Sequence, residues 1–342
     1  MATIADVARL AGVAPSTVSY VLSGRRSISD ATRLRVESAI AELNYRPHAG
    51  ARALASARSN TIGLQAPFRE GVDVNVIMQF VAGVTSGAHD HDYDVLLVTQ
   101  GDGSHLARVS ASSMIDALVV MDVEDFDARL PALRNLTMPT VLIGLPMETA
   151  GLTCIDLDFY QVGLITARHL AERGHRSIAL LGSPVEVISR GTSYAIRIDD
   201  GFATGATHAA TQHVIIPTGA SVTGAHAAVD TLVDKHPDVT GIVVHNEVAL
   251  PHVISRLREH GLAVPDDMSL VAVCPNNVVA AMPLPLTSVE IPAQRIGEMA
   301  VEMVVRMIGT DPQTRDNEVR LLAPRLTERG STRHLEPLGS ES

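Results

Sequence analysis

The chain has 342 residues, of which 46% are hydrophobic and 19% charged. That length supports two to three domains with sizeable cores, and the apolar content excludes a disordered chain. A net charge of −11 argues against a polyanion partner for the chain as a whole, but residues 1–60 hold eight arginines against four acids, so an N-terminal segment alone suits phosphates.

Thr3 to Gly24, TIADVARLAGVAPSTVSYVLSG, reads as two short helices joined by a tight turn. Thr3 caps the first, with Asp6 three residues later closing a capping box. Ile4, Val7, Ala8 and Ala11 form its apolar stripe, and Gly12 ends it where a left-handed residue costs least. Pro15 suits a first helical position, giving a second helix to about Ser23. Val18, Val21 and Leu22 should face inward there, leaving Ser16, Thr17, Ser19 and Tyr20 outside. Short polar side chains on an exposed helix after a tight turn suit major-groove reading, although an ordinary helical hairpin has the same pattern. Ser29 can cap a third helix, Asp30 to Asn44, buried through Val36, Ala39, Ile40 and Leu43.

The order T-I-x-D-V-A-x-x-A-G-V, S-T-V-S, a third helix ending in N-Y-x-P, then A-R-x-L and I-G-L resembles the lactose-repressor (LacI/GalR) family of bacterial transcription regulators. Later segments extend the resemblance: LAERGHRSIALLG (170–182), REHGLAVPDDMSLVAV (258–273), PLPLTSVEIPAQRIGEMA (283–300) and LLAPRLTERGST (321–332). It implies a DNA-binding head at 1–46 in which Ser16 and Tyr20 chiefly read bases, Pro15 shapes the surface, Thr17 and Ser19 share the outward DNA-binding face, and Thr3, Ser23 and Arg25 hold phosphates. Tyr20 replaces an arginine that some relatives carry, removing a bidentate guanine contact. It also implies that residues 47–60 contain a hinge helix that forms when two subunits meet on DNA. Leu54 would then wedge into the minor groove, with Ala51 and Arg52 at the groove or its phosphates. The segment PHAGARALASA (47–57) is Ala-rich but short and weakened by Gly50, hence marginally helical by itself. Leu54 packed on the body is the other reading.

From Ile62 onward, short β-branched runs alternate with helical stretches. Strands are expected at 62–66, 94–99, 117–121, 140–143, 177–181, 213–216, 241–244 and 270–273. Helices are expected at 74–90, 158–173, 221–235, 248–260 and 292–308. This alternation predicts parallel sheets with helices on both faces. The resemblance implies two lobes, as in periplasmic sugar-binding proteins, one of 61–158 plus 290–322 and the other of 159–289 plus 323–342. A ligand cleft belongs between them, at the carboxyl ends of strands.

Family ligand positions match less regularly. Asn246 and Glu247 stand where Asn-Asp is usual, and Arg197 is four residues before Gly201 instead of three, which would leave Ile198 at the usual place. V-A-V-C-P (271–275) puts Cys274 and Pro275 where relatives carry V-G-F-D-D, and neither accepts ligand hydroxyls well. Either the effector is poorer in hydroxyls than a simple sugar or Glu247 supplies the carboxylate. Phe68, Phe159, Tyr160 and Tyr194 are candidate pocket walls, core packing being the other reading for each.

His89-Asp90-His91-Asp92 resembles a metal cluster, but reads as a solvated helix end because i and i+2 face different sides of a helix. Cys154 and Cys274 are too few for a disulfide framework, and no enzyme motif or cofactor loop occurs. The expected protein has a small all-α helix-turn-helix head on an α/β two-lobed, periplasmic-binding-protein-like body with parallel sheets. It would act in the cytoplasm, without cofactor or membrane, as a homodimer or an assembly of dimers. Its role would be to bind a near-palindromic double-stranded DNA operator under control of a small-molecule effector, a sugar or related metabolite. The competing classes are a small-molecule binding protein without regulatory DNA binding and a cleft enzyme.

Overall fold

The computed structural model describes residues 2–23, 28–45, 58–66, 68–69, 71–99 and 102–335. The head comprises α1 (Ile4–Ala11), α2 (Pro15–Ser23) and α3 (Asp30–Glu42). The body continues as β1 (Thr61–Gln65), α4 (Val74–Asp90), β2 (Asp94–Val98), α5 (Gly103–Ala111), β3 (Ala117–Val120), α6 (Leu130–Arg134), β4 (Thr140–Ile143) and β5 (Thr153–Leu157). Next come α7 (Phe159–Glu172), β6 (Ser177–Gly182), α8 (Val185–Ser189), α9 (Ser193–His208), β7 (Gln212–Pro217), α10 (Val222–Lys235) and β8 (Gly241–Val244). The last are α11 (Leu250–Glu259), β9 (Ser269–Cys274), α12 (Asn276–Ala280), β10 (Thr287–Glu290), α13 (Ala293–Met307), β11 (Val319–Leu322) and β12 (Leu326–Thr327).

The strands form two six-stranded sheets, ordered β11-β5-β4-β3-β1-β2 and β12-β10-β9-β8-β6-β7. Every pairing is parallel except β10 with β12. Leaving aside the edge strands β11 and β12, both sheets run 2-1-3-4-5 in their own strand sequence. In each, the order reverses beside the first strand, between β1 and β3 and between β6 and β8. Parallel sheets of this kind present ligands with a crevice at the carboxyl ends of the strands flanking the reversal. The chain passes between sheets after β5, after β10 and after β11, so the lobes are joined by three short segments.

Strands β3, β5, β8 and β9 are buried along their whole length, as parallel strands covered on both faces must be. Asp73, Asp102, Asp158 and Ser221 cap α4, α5, α7 and α10 by accepting from the backbone N–H of the second or third residue of each helix. The principal helix pair of each lobe closes in the same way. Gly83 and Gly87 of α4 pack on α13 around Gly297, and Gly201 and Gly205 of α9 pack on α7 around Gly163. A Cβ at Gly83 would sit 2.0 Å from the carbonyl oxygen of Gln294, and one at Gly201 would sit 2.0 Å from that of Tyr160. Only a residue without a side chain permits that approach.

Three expectations for the head are corrected. The Ser29 side chain makes no cap bond, its hydroxyl instead donating to Thr32 Oγ1 at 2.9 Å. α3 stops at Glu42 because Asn44 turns to a positive φ of 43°. Leu22 is 38% exposed, and the interior is made by Val7, Ala8, Ala11, Val18, Val36, Ala39 and Tyr45. The body also contains β5, β10, β11 and β12, which the apolar pattern missed. β5 carries Asp156 within the strand, β10 is polar at three of its four residues, and β11 and β12 lie at sheet edges.

Candidate functional site

In the head, Thr3 Oγ1 accepts from the Asp6 N–H at 3.3 Å, while the Asp6 carboxylate accepts from the Thr3 N–H at 2.9 Å. These bonds satisfy free N–H groups at the start of α1 and hold the Asp6 carboxyl below its ordinary range. Gly12 then takes φ +64°, its N–H reaching back to the Ala8 and Arg9 carbonyls, and the chain reverses into α2. Val18 anchors α2 in the head core, so the opposite face is presented outward. Pro15, Ser16 and Tyr20 are exposed on it, Thr17 and Ser19 are half-buried, and Thr3 is exposed at the start of α1. Ser23 ends α2. Arg25, Ala51, Arg52 and Leu54 lie outside the described residues.

The body encloses a cavity of about 120 Å³ at the carboxyl ends of both sheets. One wall is built by residues following β3 (Met121 to Val123), by the end of β4 and the residue after it (Ile143, Gly144), by Asp156 of β5 and by Asp73 with the first turns of α4 (Val76, Ile77, Phe80). The other is built by residues following β6, β7 and β8, including Ser183, Ala220 and His245 to Val248. The floor is aromatic. Phe159, the first residue of α7, lies 5.5 Å from Tyr194 and 5.6 Å from His245, and the latter two rings meet edge-on at 5.8 Å. On one side the lobes are already joined, the Ser193 N–H donating to the Val123 carbonyl at 3.0 Å and the Asp125 N–H to that of Gly191 at 2.8 Å.

Charge in the cavity wall is one-sided. Asp156 is buried and its carboxyl is pushed up to about 6 by burial, against the pull of Arg197. Arg197 donates to Asp156 and, at 3.4 Å, to the Leu157 carbonyl, with its guanidinium 5.7 Å from the centre of the Phe159 ring. Asp122 is held by Arg69, and Asp73 Oδ1 accepts from the Asn75 N–H at 2.8 Å. Glu247 has no such cation; burial and the neighbouring Asp73 push its carboxyl up to about 7. His245 is drawn down to about 4 by burial and is therefore neutral near pH 7, with Nδ1 buried and unbonded.

The structure brings Phe159, Tyr194, Asn246 and Glu247 to this cavity and leaves the other expected effector residues outside its wall. Asn246 is committed locally, Nδ2 donating to the Thr218 carbonyl at 2.7 Å and Oδ1 accepting from the Ala249 N–H at 3.2 Å. Arg197, and not Ile198, turns toward the cleft, but its guanidinium stands behind Phe159 on Asp156; Ile198 is fully buried. Cys274 packs in the second lobe's core, where burial pushes its thiol up. Tyr160 lies half-buried at the α7–α9 contact, its carbonyl facing Gly201. Phe68 is 46% exposed beside a separate shallow depression with Arg69, Glu124 and Arg129. Sequence reasoning missed Asp73, Asp122, Asp156 and His245. Asp156 had a readable signal: a lone carboxylate in an apolar strand needs a partner.

His89 to Asp92 are exposed at the end of α4, and among the described residues no group of three or more His, Cys, Asp or Glu could hold a metal ion. Among them, too, no helix is long and apolar enough to cross a membrane.

Comparison with known proteins matches residues 3–48 to the model described as bacterial regulatory proteins, lacI family, and residues 167–332 to a periplasmic binding protein-like domain. The chain is 28% identical over 346 residues to the HTH-type transcriptional repressor PurR of Vibrio atlanticus, covering 98% of this chain and 100% of that one. It is 29% identical over 342 residues to the ribose operon repressor of Escherichia coli, covering 97% and 100%. Among solved structures, the lac repressor dimer bound to operator and the anti-inducer ONPF aligns with a TM-score of 0.81 at 23% identity, over 97% of this chain and 99% of that one. The complex of the transcriptional regulator CelR with cellobiose aligns at 0.67 and 24% identity, over 97% and 100%.

Proposed function

The chain belongs to the LacI family of bacterial regulatory proteins, and from that premise we propose that it represses transcription from a near-palindromic operator as a homodimer in the cytoplasm, under control of a small-molecule effector. The effector, a sugar or related metabolite, binds between the lobes. The observation that carries the reading is the joining of two devices in one chain. A capped α1–α2 pair offers an exposed polar helix face, and the attached body holds a cavity at the switch points of both sheets.

In this reading each head lays α2 in a major groove, the two half-sites about one helical turn apart. Ser16 and Tyr20 read bases, with Pro15, Thr17 and Ser19 shaping the contact, while Thr3, Ser23 and Arg25 hold phosphates. Residues 47–60 act as the hinge, with Leu54 in the minor groove and Ala51 and Arg52 beside it. Phe159, Tyr194, Asn246 and Glu247 form the effector wall, and Arg197 braces it through Asp156. Effector binding alters the lobe arrangement and so the spacing of paired hinges, which being marginally helical respond to a few kcal/mol.

The test is capture of random genomic DNA fragments on the purified protein at roughly 150 mM salt, where non-specific phosphate binding is weakened, followed by sequencing. A single near-palindrome shared by the retained fragments is the expected result, with capture repeated in cell extract to supply any corepressor. Retention of no specific fragment under either condition refutes the reading.

A further inference from the structure

The cavity's polar chemistry is lopsided. Among the described residues no Lys or Arg lines it, and every polar side chain in its wall can accept a hydrogen bond. One of the two Asn246 amide hydrogens is already given to the Thr218 carbonyl. Ser183, Tyr194 and neutral His245 each accept as well as donate. Asp122 and Asp156 have arginine partners that stand outside the wall, whereas Glu247 faces the cavity with none. Beneath lie the rings of Phe159 and Tyr194, with Phe80 opposite on α4.

A polyhydroxylated ligand needs donors for its oxygens as well as acceptors for its protons, and an anionic one needs a cation. This wall offers neither in quantity. An ammonium group has three donors and no acceptor, and is attracted to aromatic faces. The geometry points to an effector that carries a protonated amine on a compact body, its nitrogen held by the carboxylates of Glu247 and Asp73 and its body resting on Phe159 and Tyr194. This rests on the effector-binding reading of the cleft and narrows it. The groups around Glu247 reinforce it, because Asp73 is acidic, Tyr194 and Cys274 are held in their neutral forms by burial, and His245 is neutral.

The test uses full-length protein and titration calorimetry at pH 8 with matched probes: benzylamine, benzyl alcohol and benzoate on one body, D-glucosamine and D-glucose on another. At least one amine should bind about tenfold more tightly than its alcohol counterpart, as expected for a hydrogen bond to a charged group, and benzoate should not bind. Glu247→Gln should bring that amine to the level of its alcohol. Asp73→Asn, which keeps a capping oxygen for α4, should weaken it in the same direction, and melting curves establish that both variants fold. The proposal is overturned if alcohol or carboxylate binds as well as the amine, if no amine binds up to roughly 10 mM, or if Glu247→Gln folds and leaves the amine preference intact. Genomic capture is independent of these probes, so failure here leaves the DNA-binding reading standing, and failure there leaves this result interpretable.

Discussion

The contact between α7 and α9 can be tested by Gly201→Ala. The added methyl would lie 2.0 Å from the Tyr160 carbonyl oxygen and 2.8 Å from its carbonyl carbon. Backbone atoms cannot rotate away, so the helices must part by more than about 1 Å to restore an ordinary contact. Overpacking of this kind costs about 1–3 kcal/mol, and a backbone clash on one side and a fully buried Phe202 on the other place it at the upper end. Alanine recovers at most about 1 kcal/mol through its better helix propensity. The net expectation is a loss of about 2 kcal/mol, measured by urea unfolding with an unchanged slope. Gly205→Ala, whose methyl would meet the Leu164 carbonyl at 2.8 Å, should lose clearly less. Because α9 also positions Tyr194 and Arg197, effector affinity should fall further than stability alone explains. A Gly201→Ala protein within about 0.5 kcal/mol of wild type, or less damaged than Gly205→Ala, would refute the close-contact argument.

Half-buried Glu247 has its carboxyl raised from an ordinary 4.5 to about 7 in the folded protein, so stability is lost as the pH rises from about 4.5 through about 7. Glu247→Gln should therefore match wild type near pH 4.5 and become more stable by up to about 3 kcal/mol at pH 8, read from melting curves at both values. A pH-independent difference would contradict it. Arg197→Met should cost about 3 kcal/mol at pH 8, where it strands a buried Asp156 carboxylate, and distinctly less at pH 5, where that carboxyl, pushed up to about 6, is protonated. Equal losses at the two values would show that Arg197 acts through packing alone. Leu54→Ser should weaken operator binding far more than non-specific binding in gel-shift titrations. Equal losses would remove Leu54 from the minor groove.

The head was the most legible part because its signals are local. The Thr3–Asp6 box, the left-handed Gly12 and Pro15 at a helix start are each set by neighbours within four residues. Ser29 makes no side-chain cap bond although its type fits, its hydroxyl donating to Thr32 Oγ1. In the body, alternation of short apolar runs with helices was enough for two parallel sheets, whereas β5 was hidden by Asp156. That carboxylate is tolerated within the strand only because Arg197 reaches it from a helix 41 residues later in the chain. The same distance effect misled the pocket. Cys274 ends its strand pointing into the second core, and Phe68 lies outside the cavity, while Asp73 and His245 enter it from elements that local sequence does not bring together.

How the cavity could reach the DNA follows from which ends of the first sheet carry which jobs. At the amino ends of β1 and β3, the Asp116 carboxylate accepts from the Ser59 N–H at 2.7 Å and the Asn60 N–H at 2.8 Å, and Asn60 in turn accepts from the Asp94 N–H at 2.9 Å. The segment leading from the head is thereby clamped to three strands at once. The cavity lies at the opposite, carboxyl ends of those strands, about 17 Å away along a five-residue strand. A buried parallel sheet does not stretch over that distance, so a ligand can move the clamp only by moving the first lobe as a body. The lobes are held by three connecting segments and by bonds such as Ser193 N–H to the Val123 carbonyl, beside the cavity wall. A ligand that made or strained those bonds would shift the first lobe as a body, and with it Ser59 and Asn60.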